Sequence, residues 1–125
     1  MLMKSDNMDE KPQSNPNAQQ VEKIVMEYQT VAEQLRSISM QIDQLNLQKD
    51  ELSSAEKEVG NAAGKIYRGI GGVIVETQKE DALADIKDKM ELNELRLKTA
   101  NKQYTDLKNR EKELREKISG IAPQA

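Results

Sequence analysis

Along most of the chain an apolar side chain returns at alternating steps of three and four residues, and this rhythm restricts the fold more than any other feature. It first runs through Val21, Ile24, Tyr28, Val31, Leu35, Ile38, Ile42, Leu45, Lys49, Leu52, Glu56 and Val59, where ten of 12 positions are apolar or aromatic. It returns at Leu83, Ile86, Met90, Asn93, Leu97, Ala100, Tyr104, Leu107, Glu111, Leu114, Ile118 and Ile121, again with ten of 12. A mean spacing of about 3.5 residues, with Gln, Glu, Lys and Asp between, holds a narrow stripe on one side of a helix and marks a coiled coil. The expected fold class is mainly α: a long antiparallel two-helix coiled coil, each helix about 60 Å long at about 1.5 Å per residue.

Composition agrees with a thin rather than a thick core, since 36% of the 125 residues are hydrophobic and 33% charged. Phe and Trp are absent and Tyr occurs three times, which removes the ring surfaces that line most ligand pockets. Without Cys or His there are no thiolate nucleophiles, disulfides, imidazole bases or the zinc sites that use them. No enzyme activity, metal or cofactor is expected. A net charge of −3 lacks the basic excess that phosphate neutralisation demands, so no nucleic-acid partner is expected. The longest uncharged apolar stretch, residues 69–75, falls far short of the roughly 20 residues that cross a bilayer. The chain reads as soluble and cytoplasmic.

Residues 1–20 are polar, hold Pro12 and Pro16, and carry no apolar repeat, so they are expected to form a disordered tail. Coiled-coil helix 1 is expected over 21–59, with Asn15-Pro16-Asn17 as its start signal. The segment 60–77 carries Gly60, Gly64 and then Lys65-Ile-Tyr-Arg-Gly-Ile-Gly-Gly-Val-Ile-Val-Glu76, which reads as two short strands around a glycine turn. Helix 2 follows over 78–119, opened by a Thr77-x-x-Glu80 capping box. Gly120 and Pro123 end it and leave a tail over 120–125.

If the second helix folds back on the first, facing seam residues have numbers that sum to 142, as Val59 does with Leu83. Lys49 then lies opposite Asn93, one polar layer that would penalise slipped registers. Charge supports this pairing: helix 1 has four basic and eight acidic residues, whereas 96–117 has eight basic and four acidic.

Other motifs yield to simpler readings. Gly60-Asn-Ala-Ala-Gly64-Lys65 is too short for a P-loop and has Ile66 where Ser or Thr would hold magnesium. Gly69-Ile-Gly-Gly72 begins a dinucleotide fingerprint, but Ile74 stands where its last glycine belongs. Glu80 and Asp81 sit on a solvated helix that would not separate their proton affinities. The basic run over 108–117 is interrupted by acids and has no aromatic ladder for base stacking.

The ends of the seam differ from its middle. At the free end two narrow stripes cannot cover each other, so Val21, Ile24, Tyr28, Leu114, Ile118 and Ile121 are expected to stay partly accessible, with Val25 widening the patch. Such a patch suits weak binding of many partners, or simply frays. At the other end a lone hairpin is marginal in water and leaves two open edges. Its apolar residues, Ile66, Tyr67, Ile70, Val73, Ile74 and Val75, lie on both faces and ask for cover from other subunits, as in a closed sheet or barrel.

Two coiled-coil helices around one hairpin, with Lys65-Ile-Tyr-Arg-Gly-Ile-Gly-Gly-Val-Ile-Val-Glu76 and Leu95-Arg-Leu-Lys-Thr-Ala100, resemble the beta-class subunits of prefoldin, the archaeal kind, over about residues 20–120. One hairpin rather than two is the beta-class feature. The resemblance implies an ATP-independent holding chaperone, a hetero-hexamer of two alpha-class and four beta-class subunits whose hairpins form a β-barrel. It implies further that unfolded clients bind the coil tips and pass to a group II chaperonin. On this chain, assembly would fall to 65–76 and client capture to Val21, Ile24, Val25, Leu114, Ile118 and Ile121. The competing reading is a structural tether, a coiled coil that spaces two specific partners.

Overall fold

The computed structural model describes residues 16–121. Helix α1 spans Pro16–Asn61, strands β1 and β2 span Ile66–Ile70 and Val73–Thr77, and helix α2 spans Lys79–Ile121. Two long helices therefore flank one antiparallel hairpin, as the sequence pattern requires.

Both helices outrun their expected bounds. Residues 16–20, expected in a disordered tail, are the first turn and more of α1, and residues 1–15 lie outside the described residues. Proline is tolerated at a first helical position because the N–H there has no intrahelical acceptor, so this signal rather than the first seam residue sets the boundary. α1 continues through Gly60, and α2 through Gly120 to Ile121, and neither glycine adopts positive φ. Glycine permits a left-handed helix end without forcing one. Pro123 lies outside the described residues.

The start of α2 differs from the expected capping box by one residue. Thr77 is the last residue of β2 and pairs with Ile66, while the Gln78 carbonyl accepts the first bond, from the Ala82 N–H at 2.9 Å. Strand pairing thus claims Thr77, and Gln78 holds the cap position. Glu80 and Asp81 place two carboxylates in the first turn, where the helix dipole favours them.

The chain divides into two compact units, one made by the chain up to Ser37 with the chain from Tyr104, the other by Ile38–Gln103. In the first, the terminal unit, the start of α1 lies along the end of α2. Val31, Leu35 and Leu114 are buried together there, with Ile24, Tyr28, Tyr104 and Leu107 packed against them. In the second, the hairpin unit, Ile38, Leu45, Ala82, Leu97 and Ala100 are buried. Across both helices only Lys49 and Ile121 among the 24 seam residues are exposed, so the 3.5-residue rhythm describes each unit.

Lys49 is the correction to the expected register layer. Asn93 is buried at 5% exposure, but its Nδ2 donates to Gln48 Oε1 at 3.2 Å, and Lys49 points to solvent. An ammonium group is strongly hydrated, whereas two neutral amides can meet at low cost. Asn93 Oδ1 is buried with no partner, which carries a desolvation cost of about 1–3 kcal/mol. Asn93→Leu is therefore expected to stabilise the hairpin unit by about 1 kcal/mol, since Gln48 is exposed and can hydrate. A urea midpoint that falls instead would mean that the amide is needed for more than register.

In the terminal unit Arg110 joins the helices. Its Nε donates to Glu27 Oε2 at 3.0 Å, its Nη2 donates to the same oxygen, and Nη1 donates to Glu113 Oε1 at 3.5 Å. The Glu27 hydrogen bond is the main cause that raises the guanidinium's pKa above its already high ordinary value. A raised cationic pKa adds stability at every pH where the group stays charged, so this contact is insensitive to arginine titration and yields instead to salt. The expected pairing of acidic α1 with basic α2 is realised here. Lys108 and Arg115 turn to Glu111 within α2.

Candidate assembly and client-binding surfaces

The hairpin turns on Gly71 and Gly72, at φ 55° and 84°. Two consecutive left-handed residues make the tight turn whose twist matches the flanking strands, and glycine adopts both without strain. The register pairs Ile66 with Thr77, Tyr67 with Glu76, Arg68 with Val75, Gly69 with Ile74 and Ile70 with Val73. Partners opposite each other share a face. Ile66, Arg68, Ile70, Val73, Val75 and Thr77 thus form one face, and Tyr67, Gly69, Ile74 and Glu76 the other.

Apolar side chains are exposed on both. Ile74 is 75% and Tyr67 57% exposed on one face, while Ile70, Val73 and Val75 are exposed on the other. Among the hairpin residues named from the sequence only Ile66 is half-buried. The described sheet has two strands, so the outer edge of each presents unpaired N–H and C=O groups.

The base of the hairpin is tied down by polar contacts that sequence reasoning missed. Arg68 Nη2 donates to Asp85 Oδ2 at 3.0 Å, Lys79 Nζ donates to the Ala62 carbonyl at 3.3 Å, and Lys65 lies 3.7 Å from Glu76. The available signal was Arg68 itself, a lone charge at an alternating position among apolar strand residues.

The terminal unit separates the residues expected at the client-binding end. Val21, Ile24, Val25, Tyr28 and Ile118 are half-buried and Ile121 is exposed. Leu114 is a correction: at 1% exposure it is the most buried large side chain described. It forms a buried cluster with Val31 and Leu35, against which Ile24, Tyr28, Tyr104 and Leu107 pack, so a side chain expected to be accessible belongs to the local core. Ile24 and Tyr28 are partly committed to that core as well. Val21, Val25, Ile118 and Ile121 remain as accessible apolar surface, and Met26, missed because it lies off the seam, is exposed beside them in sequence.

No helix among the described residues is long and apolar enough to cross a membrane. The described chain is thus a single-hairpin, two-helix fold whose strands carry exposed apolar side chains on both faces. The chain belongs to the prefoldin subunit family, whose model matches residues 1–124. It is similar in structure to the crystallised prefoldin beta subunit from Thermococcus strain KS-1, with a TM-score of 0.76 and 29% identity over 84% of this chain and 95% of that one. In sequence it is 41% identical to prefoldin subunit beta of Pyrococcus abyssi over 54 residues, 43% of this chain and 46% of that protein. It is 33% identical to that of Archaeoglobus fulgidus over 61 residues, 48% and 53% of the two chains. The chain spans about half the length of the curated relatives it matches.

Proposed function

We propose that this chain is the beta-class subunit of an ATP-independent holding chaperone of the cytoplasm. It assembles through its hairpin into a hexamer of two alpha-class and four beta-class subunits, with the hairpins joined in a β-barrel. It binds unfolded proteins at the ends of its helices and passes them to a group II chaperonin. The observation that carries this reading is the hairpin, apolar on both faces and exposed at Tyr67, Ile70, Val73, Ile74 and Val75, in a chain of the prefoldin family. No bond is made or broken in such a role. Apolar stretches of a client cover Val21, Val25, Ile118 and Ile121, and several subunits acting together raise the effective concentration although each contact is weak.

The structure guides the choice of variant, because Ile24 supports the buried cluster and Val25 and Ile121 do not. The tagged chain, purified from its own cells with its partners, is weighed by native mass spectrometry and tested for suppression of aggregation of an unfolded client. The mass expected is that of four copies with two longer partners. Val25→Ser with Ile121→Ser should keep this mass and the helical signal, and lower suppression at least fivefold. Unchanged suppression would remove the client role from these residues, and a homodimer or a complex with unrelated chains would favour a tether.

A further inference from the structure

The two faces of the hairpin are not equivalent at its base. The residues there that are half-buried, Ile66, Arg68 and Thr77, all lie on one face. The contact on that side is a specific one: the Arg68 guanidinium donates to Asp85 Oδ2 at 3.0 Å, and Lys89 reaches the same oxygen at 3.1 Å from one turn further along α2. Tyr67 and Ile74, on the opposite face, are open.

An ion pair this accessible adds little to folding stability. Its geometry matters more. Residues 62–65 and Gln78 join the two-stranded ribbon to the helices, and the Lys79 contact with the Ala62 carbonyl ties only the linker. The rotation of the ribbon therefore depends on what its own side chains hold, and each orientation would offer its apolar surface in a different direction. A charge-assisted bond from a planar guanidinium to a carboxylate on a rigid helix selects one orientation. Ordering that precedes association is not charged against it.

We propose that Asp85 is a positioning residue for assembly: by holding Arg68 it fixes the rotation of the hairpin on α2, and so presents Tyr67 and Ile74 to the hairpin of a neighbouring subunit in one orientation. This rests on the reading of the hairpin as the assembly surface. Asp85 itself touches no neighbour in this role; it acts through Arg68. Lys89 balances the carboxylate that Arg68 leaves half-solvated.

The test uses the full-length chain in its native complex, followed by native mass spectrometry on dilution, with helical circular dichroism recorded in parallel. Asp85→Asn and Arg68→Met should each raise the dissociation constant about fivefold while the helical melt stays within a degree or two of the parent. The reversed pair, Arg68→Glu with Asp85→Arg, should return the constant to within twofold, a rescue that loss of packing alone would not give. A Tyr67→Ser, Ile74→Ser variant checks the underlying reading. If it dissociates while Asp85→Asn and Arg68→Met behave as the parent, positioning by Asp85 is wrong and the hairpin interface stands. If all three remain assembled, both are wrong.

Discussion

Replacing Leu114 with alanine is expected to unfold the terminal unit while the hairpin unit keeps its helices. Leu114 is 1% exposed and joins Val31 and Leu35 in the cluster against which Ile24, Tyr28, Tyr104 and Leu107 pack. A Leu→Ala change at such a site costs about 2–5 kcal/mol, from lost burial and from the cavity left behind. A two-helix layer has no third element that could move into the space. The cost also falls within one of two compact units, and a unit with three buried apolar side chains has little stability in reserve. Amide exchange should accelerate at least thirtyfold over residues 21–37 and 104–121 and little over 38–103. Exchange within threefold of the parent in the terminal segments would show that Leu114 is not their core. The same variant separates two roles for this residue. A client-contact residue would lose binding with its surroundings intact, whereas a core residue loses local structure first.

Leu114 also shows where the sequence stops being sufficient. The 3.5-residue rhythm places it on the seam, and almost every residue so placed is turned inward, because periodicity is a property of one helix read along its own axis. How much cover a seam residue receives depends on what the other helix sets against it. Tyr28 and Tyr104 pack against the cluster that holds Leu114, and the pattern of apolar letters does not carry the volume they add. Lys49 and Gln48 illustrate a second limit. Counting assigns Lys49 to the seam, but desolvating an ammonium costs more than a small departure from the heptad, so the neighbouring amide meets Asn93 instead. Thr77 illustrates a third, since its cap position was claimed by the pairing of Thr77 with Ile66. The hairpin itself was legible from Gly71, Gly72 and the β-branched residues after them. The bond from Arg68 to Asp85 joins residues 17 positions apart in different elements, and no local pattern encodes it.

Introducing aspartate at Val73 and Ile74 together should release free subunits that retain their helices. The two side chains lie on opposite faces of the hairpin, next to its turn, and both are exposed in the single chain. Neither substitution therefore removes a packed contact within the chain, and the helical signal should stay within about a tenth of the parent's. Val75 is the poorer choice, because it pairs with Arg68 across the strands, and a carboxylate there would compete with Asp85 for the guanidinium. In an assembled sheet each face is covered by its neighbours, so every subunit would bury two unpaired carboxylates at several kcal/mol apiece. Spread over the interfaces of one complex, that weakens assembly by more than a thousandfold, enough for native mass spectrometry to find separate chains at micromolar concentration. Subunits released in this way keep their terminal units but act singly, so suppression of client aggregation should fall with the loss of avidity even though Val21, Val25, Ile118 and Ile121 are unchanged. Complexes that survive both aspartates at their original mass would place the assembly surface elsewhere on the helices.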